Sequence, residues 1–278
     1  MDGALPKISV IIPSYNRAHL IGETLDSVMN QTFKDFEVIV VDDGSTDETA
    51  EVIKSYGDVI RYIKIENSGQ SIATNTGILA ARGEYVALLD SDDLWDERFL
   101  ELLYHRVSTS DEFDFSYCNY LYFDGDEVIY DEFIIPEKRV NGNVFDLFME
   151  GTLICTGSYL IRKDDMVEIG MLDPSIPVVT DWDVWLRISH RFTGAFVDEC
   201  LVRIRKHPDR LSHQIAEISR CNLIVLYRIK SRYPEAFRKH YSTLLPQLQR
   251  NHRIVAGHLR KEWKLFSAGK HYLLSFKK

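Results

Sequence analysis

The chain has 278 residues, room for one large domain or one domain with a small appendage. Hydrophobic residues make up 45% of it, enough for a normal core, and no run of 18 apolar residues marks a transmembrane helix. The net charge of −9 hides an asymmetry: residues 203–278 carry 18 Lys+Arg against 4 Asp+Glu, and residues 1–202 carry 15 against 38, which argues against a nucleic-acid binder and directs any anionic partner to the basic tail.

Met1 to Lys7 has neither the charged start nor the apolar core of a signal peptide. Cys118, Cys155, Cys200 and Cys221 are widely spaced, with no C-x-x-C. Both features predict a cytoplasmic protein with free, buried thiols, not a disulfide framework or a zinc site.

Lys7 to Pro13 reads as a first strand, apolar on both faces and therefore central. Leu20, Ile21, Leu25 and Val28 then recur at helical spacing. Phe36 to Val41 is a second buried strand, and a helix over roughly 47–56 follows with Thr46 or Asp47 as its cap. Ile60 to Ile65 is a third strand, Gln70 to Ala81 a small-residue helix, and Gly83 to Leu89 a fourth strand. Four alternations of this kind predict a parallel α/β sheet flanked by helices.

Beyond it the pattern gives a helix from Trp95 to about Val107, then strands over Phe113–Phe123 and Glu127–Ile134. A short helix over Val144–Glu150 and a small-residue loop precede the strand Tyr159–Arg162. Val184, Trp185 and Ile188 make the buried face of a helix starting at Asp181, and Phe196–Ile204 is the last strand. From Ser212 onward the pattern is helical, with Pro234 starting a second helix. Three parts are expected: residues 1–100 and 101–211 as two halves of one domain, and 212–278 as a basic helical extension.

The polar clusters that end the first four strands would share one sheet edge, where open α/β sheets bind ligands. Tyr15-Asn16, Asp42-Asp43, Asn67-Gly69 and Asp90-Ser91-Asp92-Asp93 are those clusters. There is no G-x-G-x-x-G, so a dinucleotide fingerprint is absent. Three carboxylates within four residues repel one another unless a cation joins them. Such dense hard-oxygen donors suit Mg²⁺ or Mn²⁺ and not zinc. The plainer reading is a solvated acidic turn that caps the next helix.

Taken in order, these stretches resemble one family. Ile8-Ser9-Val10-Ile11-Ile12-Pro13-Ser14-Tyr15-Asn16, Gln31-Thr32, Val40-Val41-Asp42-Asp43-Gly44-Ser45-Thr46-Asp47, Asn75-x-Gly77 and Leu89-Asp90-x-Asp92-Asp93 are similar to the family 2 glycosyltransferases of the GT-A fold. The resemblance runs through about residues 7–100 and resumes at Asp181. It implies an inverting transferase that uses Mn²⁺ or Mg²⁺ and a nucleotide-sugar donor, most often a UDP-sugar. It further implies that Pro13 and Tyr15 line the base and that Asp43 accepts its N–H. Asn67, Asp90 and Ser91 would complete the donor site, and Asp92 would bind the metal. Asp42 is read as a brace for its loop. Many members carry an Arg immediately before the asparagine at position 75, where this chain has Thr74.

Asp181 stands at a helix start, where the dipole favours an anion. It reads either as a cap or, by the resemblance, as the general base that takes the acceptor hydroxyl proton, with Asp183 as second choice. His207, ahead of Ser212 in the resemblance, would reach the metal or the diphosphate. The acceptor would be a saccharide or a lipid-linked saccharide of a cell-surface polymer. Trp263, Phe266, Tyr272 and Phe276 alternate with basic residues, so 212–278 could lie on the cytoplasmic face of an anionic membrane or form a homodimer contact. Gln247-x-x-Arg250-Asn251 falls short of the Q-x-x-R-W of processive synthases, which favours transfer of single sugars. Two alternatives are a sugar-nucleotide nucleotidyltransferase and a non-catalytic nucleotide-sugar-binding relative.

Overall fold

The computed structural model describes residues 5–261 apart from 126, 131–132, 150, 152–153 and 208–214. The boundary expected at 211/212 and the run from Trp263 to Phe276 lie outside the described residues.

β1 (Ile8–Ser14) is buried along its whole length, as a strand covered on both faces must be. Ile8, Val10, Ile11 and Ile12 are fully covered, each contributing roughly 1.5–3 kcal/mol. β2 (Phe36–Asp42) and β4 (Tyr85–Leu88) flank β1 in parallel, and β3 (Ile60–Lys64) lies outside β2. The helices α1 (Ile21–Met29), α2 (Thr49–Lys54) and α3 (Gln70–Ala80) cross over between these strands. α3 packs very close to the sheet. A Cβ at Gly77 would come within 2.4 Å of Ile11 Cγ2, so only glycine fits there.

The second half extends the same sheet. β8 (Tyr159–Arg162) runs antiparallel between β4 and β6 (Phe115–Asp124), and β9 (Gly194–Arg205) pairs with β6 in parallel. β7 (Glu127–Tyr130) turns back on β6. With β5 (Leu94–Trp95) at the far edge, the order is β3-β2-β1-β4-β8-β6-β9-β5. The expected α/β sheet is therefore present, with its four-strand parallel unit continued by mixed strands.

Several expected boundaries differ. The helix expected at Trp95 begins later, as α4 (Phe99–Ser108). Leu94–Trp95 instead form β5, antiparallel to Arg203 and Val202 of β9. Trp95 is held there by donating Nε1–H to the Gly157 carbonyl at 2.7 Å and by stacking on Phe99. The start of α4 is capped from a distance: Gln31, fully buried, accepts the Leu100 N–H and donates to the Asp96 carbonyl. Of the strand expected over Glu127–Ile134, Glu127–Tyr130 form β7, and Phe133 and Ile134 are not in it. The short helix expected over Val144–Glu150 is present as α5 (Phe145–Phe148), whereas α6 (Lys163–Glu168) was not foreseen.

α7 (Thr180–Arg191) lies against α5. α8 (Ile215–Arg232), α9 (Pro234–Lys239) and α10 (Tyr241–Lys261) pack on one another after β9. Among the described residues, no helix is long and apolar enough to cross a membrane.

Candidate active site

The carboxyl ends of β1, β2, β3 and β4 meet in one cleft of about 640 Å³. Pro13, Tyr15, Asp43, Asn67, Asp90, Ser91 and Asp92 all line it. These seven positions, drawn from four separate stretches of sequence, are brought together in one place. Arg17 and Gln70 line it as well and were not singled out from the sequence.

Each wall has a local cause. Asp42 is wholly buried and braces the β2 loop as expected, accepting the Ser45 N–H at 2.8 Å and the Tyr62 hydroxyl at 2.6 Å. Burial, with the Asp42 carboxylate beside it, pushes the Tyr62 hydroxyl well up. Asp43 accepts two backbone N–H groups across the cleft, from Ser68 at 2.7 Å and Gly69 at 2.9 Å. Each carboxylate oxygen keeps a further acceptor position. Gly44 lets the loops close. Its φ is +76°, and a Cβ there would lie 2.8 Å from the Asn67 nitrogen. Asn16 (φ 51°) accepts the Thr46 N–H and fastens the first loop to the second. The helix cap expected from Asp47 is partly realised: Asp47 accepts both N–H and O–H of Thr49, while the residue at the cap position is Glu48. Tyr15 stands exposed at the lip.

The acidic turn joins β4 to β5. The ligand atoms of Asp90, Asp92 and Asp93 lie within 4.8 Å of one another. Gln70 Nε2 donates to Asp90 Oδ1 at 2.7 Å. The end of β9 grips the turn from the other side. Arg205 gives its backbone N–H to Asp93 Oδ1 at 2.9 Å and its Nε–H to the Asp92 carbonyl at 3.1 Å. His207 Nε2 is 3.0 Å from Asp92 Oδ2, and Arg17 Nε is 3.4 Å from the same oxygen. His207 thus stands beside the acidic cluster. Thr74 is buried and turned back on its own helix, donating to the Gln70 carbonyl, so the guanidinium in this cleft comes from Arg17.

Asp181 does not line this cleft. It is the second residue of α7, and the cap position belongs to Val179. The capping reading is thereby corrected. Burial pushes the Asp181 carboxyl up to about 6, against the N–H groups of Trp182 and its own backbone, which lower it. A buried tyrosine connects the two sites: burial first, then Asp90 and Asp181, push the Tyr159 hydroxyl up. Asp183 is placed otherwise. It is buried, with one oxygen taken by Arg187 (Nε at 2.9 Å, Nη2 at 2.8 Å) and the other by Arg228 Nη1 at 2.9 Å. With both oxygens engaged by guanidinium groups, this carboxylate has little room left to meet an acceptor hydroxyl.

All four cysteines are free. Cys118 and Cys221 are buried as expected, whereas Cys155 and Cys200 are half-buried. Burial, with Asp93 and Asp90 adding to it, pushes the Cys155 thiol well up, so it packs as a neutral group and is no nucleophile.

The profile of glycosyl transferase family 2 matches residues 9–168, and this chain is a member of that family. It is 33% identical over 215 residues to the uncharacterized glycosyltransferase RT0329 of Rickettsia typhi, covering 73% of this chain and 64% of that one. It is also 33% identical over 209 residues to the putative teichuronic acid biosynthesis glycosyltransferase TuaG of Bacillus subtilis, covering 72% and 79%. The chain therefore spans just under two thirds of the Rickettsia relative's own length. Among solved structures, it superposes on S. aureus TarS 1-349 in complex with UDP-GlcNAc with a TM-score of 0.66, at 16% identity, covering 97% of this chain and 89% of that one. The mannosyltransferase PcManGT of Pyrobaculum calidifontis, in complex with GDP-Man and Mn²⁺, gives 0.62 at 18% identity, covering 96% and 74%. The fold is the GT-A fold expected from the sequence.

Proposed function

We propose that this protein moves one sugar, with inversion, from a nucleoside-diphosphate sugar to a hydroxyl of a saccharide or lipid-linked saccharide. A UDP-sugar is the favoured donor. The observation that carries this reading is the convergence of four strand-end loops on one cleft that holds the acidic cluster. The TarS and PcManGT complexes hold a UDP-sugar and a GDP-sugar, so likeness of fold supports a nucleotide sugar without choosing its base.

The donor atoms fit a divalent cation. Asp90, Asp92 and Asp93 offer clustered hard oxygens, and His207 stands beside Asp92. Asp92, with its neighbours, would hold Mn²⁺ or Mg²⁺, which when bound offsets charge on the departing diphosphate. Tyr15, exposed at the lip above Pro13, offers a ring for the base to stack on. Asp43 offers its remaining acceptor positions to the base N–H, held still by Ser68 and Gly69. Asn67 and Ser91 face the same space, and Asp90 stands where ribose or diphosphate would lie. Arg17 supplies a fixed positive charge for the diphosphate.

Asp181 takes the proton of the attacking hydroxyl. Its raised pKa, near the working pH, suits a general base. In an inverting transfer the acceptor hydroxyl approaches from the face opposite the leaving diphosphate, so its base need not line the donor cleft. Peripheral contact with an anionic bilayer is supported by the shallow groove of Lys230, Pro234, Phe237, Arg238 and Tyr241, which mixes basic and aromatic side chains.

Product analysis tests the reaction. Incubation with UDP-GlcNAc and other UDP-, dTDP-, GDP- and CDP-sugars in Mn²⁺ should release nucleoside diphosphate. Release of pyrophosphate would instead make the protein a nucleotidyltransferase. Binding without turnover, with and without oligosaccharide acceptors, would make it a non-catalytic relative.

A further inference from the structure

The turn that starts α7 is strained. Val179 sits at φ 55° and ψ 29°, in the left-handed region that a β-branched residue rarely enters. Such backbone persists only where surrounding contacts enforce it, and it concentrates at functional sites. Asp181 follows two residues later.

The contacts that enforce it come from two distant helices. At one end of the 172–179 loop, Asn75 of α3 grips Leu172, donating Nδ2–H to its carbonyl at 2.8 Å and accepting its N–H at 3.0 Å. α3 is the helix whose first residue, Gln70, binds Asp90. Arg228 of α8 grips the loop from the other side: Nη2 donates to Asp173 Oδ2 at 2.6 Å, and Nη1 donates to Asp183 Oδ1 at 2.9 Å. Asp173 in turn accepts the Ser175 N–H at 2.8 Å. One planar guanidinium therefore ties the loop before the strained turn to the helix after it. Cys221, also on α8, touches the Val178 backbone.

We propose that Arg228 is a positioning residue: by bridging Asp173 and Asp183 it holds the Val179 turn closed and so fixes the Asp181 carboxylate for proton transfer. The C-terminal helices then serve catalysis directly, because α8 sets the aim of α7. The bridge needs a fork that spans two carboxylates, which lysine lacks. The inference rests on the reading of Asp181 as the base.

Arg228→Met keeps the aliphatic stem, and Asp183 keeps Arg187 as a partner, so the variant should fold. Three measurements on the full chain follow. In the first, the ¹³C carboxyl resonance of Asp181, assigned by its loss in Asp181→Asn, is titrated. Wild type should titrate near 6, and Arg228→Met should move it down by at least one pH unit as the loosened turn lets water in. Tyr159 and Tyr120 are the titratable groups coupled to Asp181, and Asp183, Arg187 and Arg228 form the ion-pair cluster on α7 and α8. The second is UDP affinity in Mn²⁺, which should change less than twofold. The third is UDP-GlcNAc turnover, which should fall at least tenfold in Arg228→Met, recover in part in Arg228→Lys, and fall no further when Arg228→Met is added to Asp181→Asn. An unmoved Asp181 titration, or a parallel loss of UDP affinity, overturns the positioning role. Wild-type turnover by Asp181→Asn alone overturns the base reading instead, while the titration still judges the clamp.

Discussion

His207 Nε2 lies 3.0 Å from Asp92 Oδ2, although 115 residues separate them in the chain. β9 makes the approach possible, because its last residues run alongside the acidic turn and Arg205 fastens the two together. Asp92→Ala should abolish the upward thermal shift produced by Mn²⁺ and lower turnover by at least a hundredfold, since a lost metal ligand removes charge stabilisation of several kcal/mol. His207→Gln should weaken Mn²⁺ binding by about tenfold, the lower end of what supporting groups contribute. Unchanged Mn²⁺ shifts in both variants would remove these residues from a metal site.

Arg17 faces the same oxygen at 3.4 Å and lines the donor cleft. Arg17→Ala should weaken UDP binding by about tenfold, the size of one charge-assisted hydrogen bond, while binding of uridine, which has no phosphate, is unaffected. Titration calorimetry with UDP and with uridine separates the two. An equal loss for both would mean that Arg17 only shapes the loop.

Gly44→Ala tests the closure of the loops. The new Cβ would meet the Asn67 nitrogen at 2.8 Å on a backbone already at φ +76°. A loss of roughly 1–3 kcal/mol in unfolding free energy is expected, with weaker UDP binding because Asn67 and Asp43 are pushed apart. Urea denaturation measures the first effect and calorimetry the second. A fully stable Gly44→Ala with normal UDP affinity would show that this approach is not needed.

Asp181→Asn should separate stability from activity. The folded protein raises this carboxyl above its ordinary value near 4, so folding favours the protonated form. Its contribution is present below about pH 4 and is lost as the pH rises through about 6. At pH 8 the neutral amide avoids that penalty, and a gain of roughly 1 kcal/mol is expected, reduced from the full shift because the carboxyl is only half-buried. Transfer should fall by at least a hundredfold, and wild-type turnover should rise with pH through about 6. A destabilised Asp181→Asn with its pH limb intact would mark a structural carboxylate.

The donor half was legible because each parallel strand is an apolar run that stops at a polar motif. Ile8–Ser14 followed by Tyr15 and Asn16, and Phe36–Asp42 followed by Asp43, carry both fold and site in a few consecutive residues. β5 was not legible, since two residues make no periodic signal and its strand pairing with Val202 and Arg203 is remote. Arg17 was passed over because its charge gains meaning only from Asp92, which folding brings beside it. Asp183 looked like a spare base for the opposite reason: its partner Arg228 lies 45 residues downstream, on a helix whose docking no local pattern reveals. Position 74 could be read as a departure from the family, but not that another loop would supply the guanidinium.

The most direct test of the whole account is calorimetric titration of UDP into the wild-type protein and into Asp92→Ala, with Mn²⁺ and with chelator. The account predicts that Mn²⁺ tightens UDP binding to wild type by at least tenfold and leaves the weaker binding of Asp92→Ala unchanged. UDP binding of equal strength in all four titrations, or none in any, would contradict it.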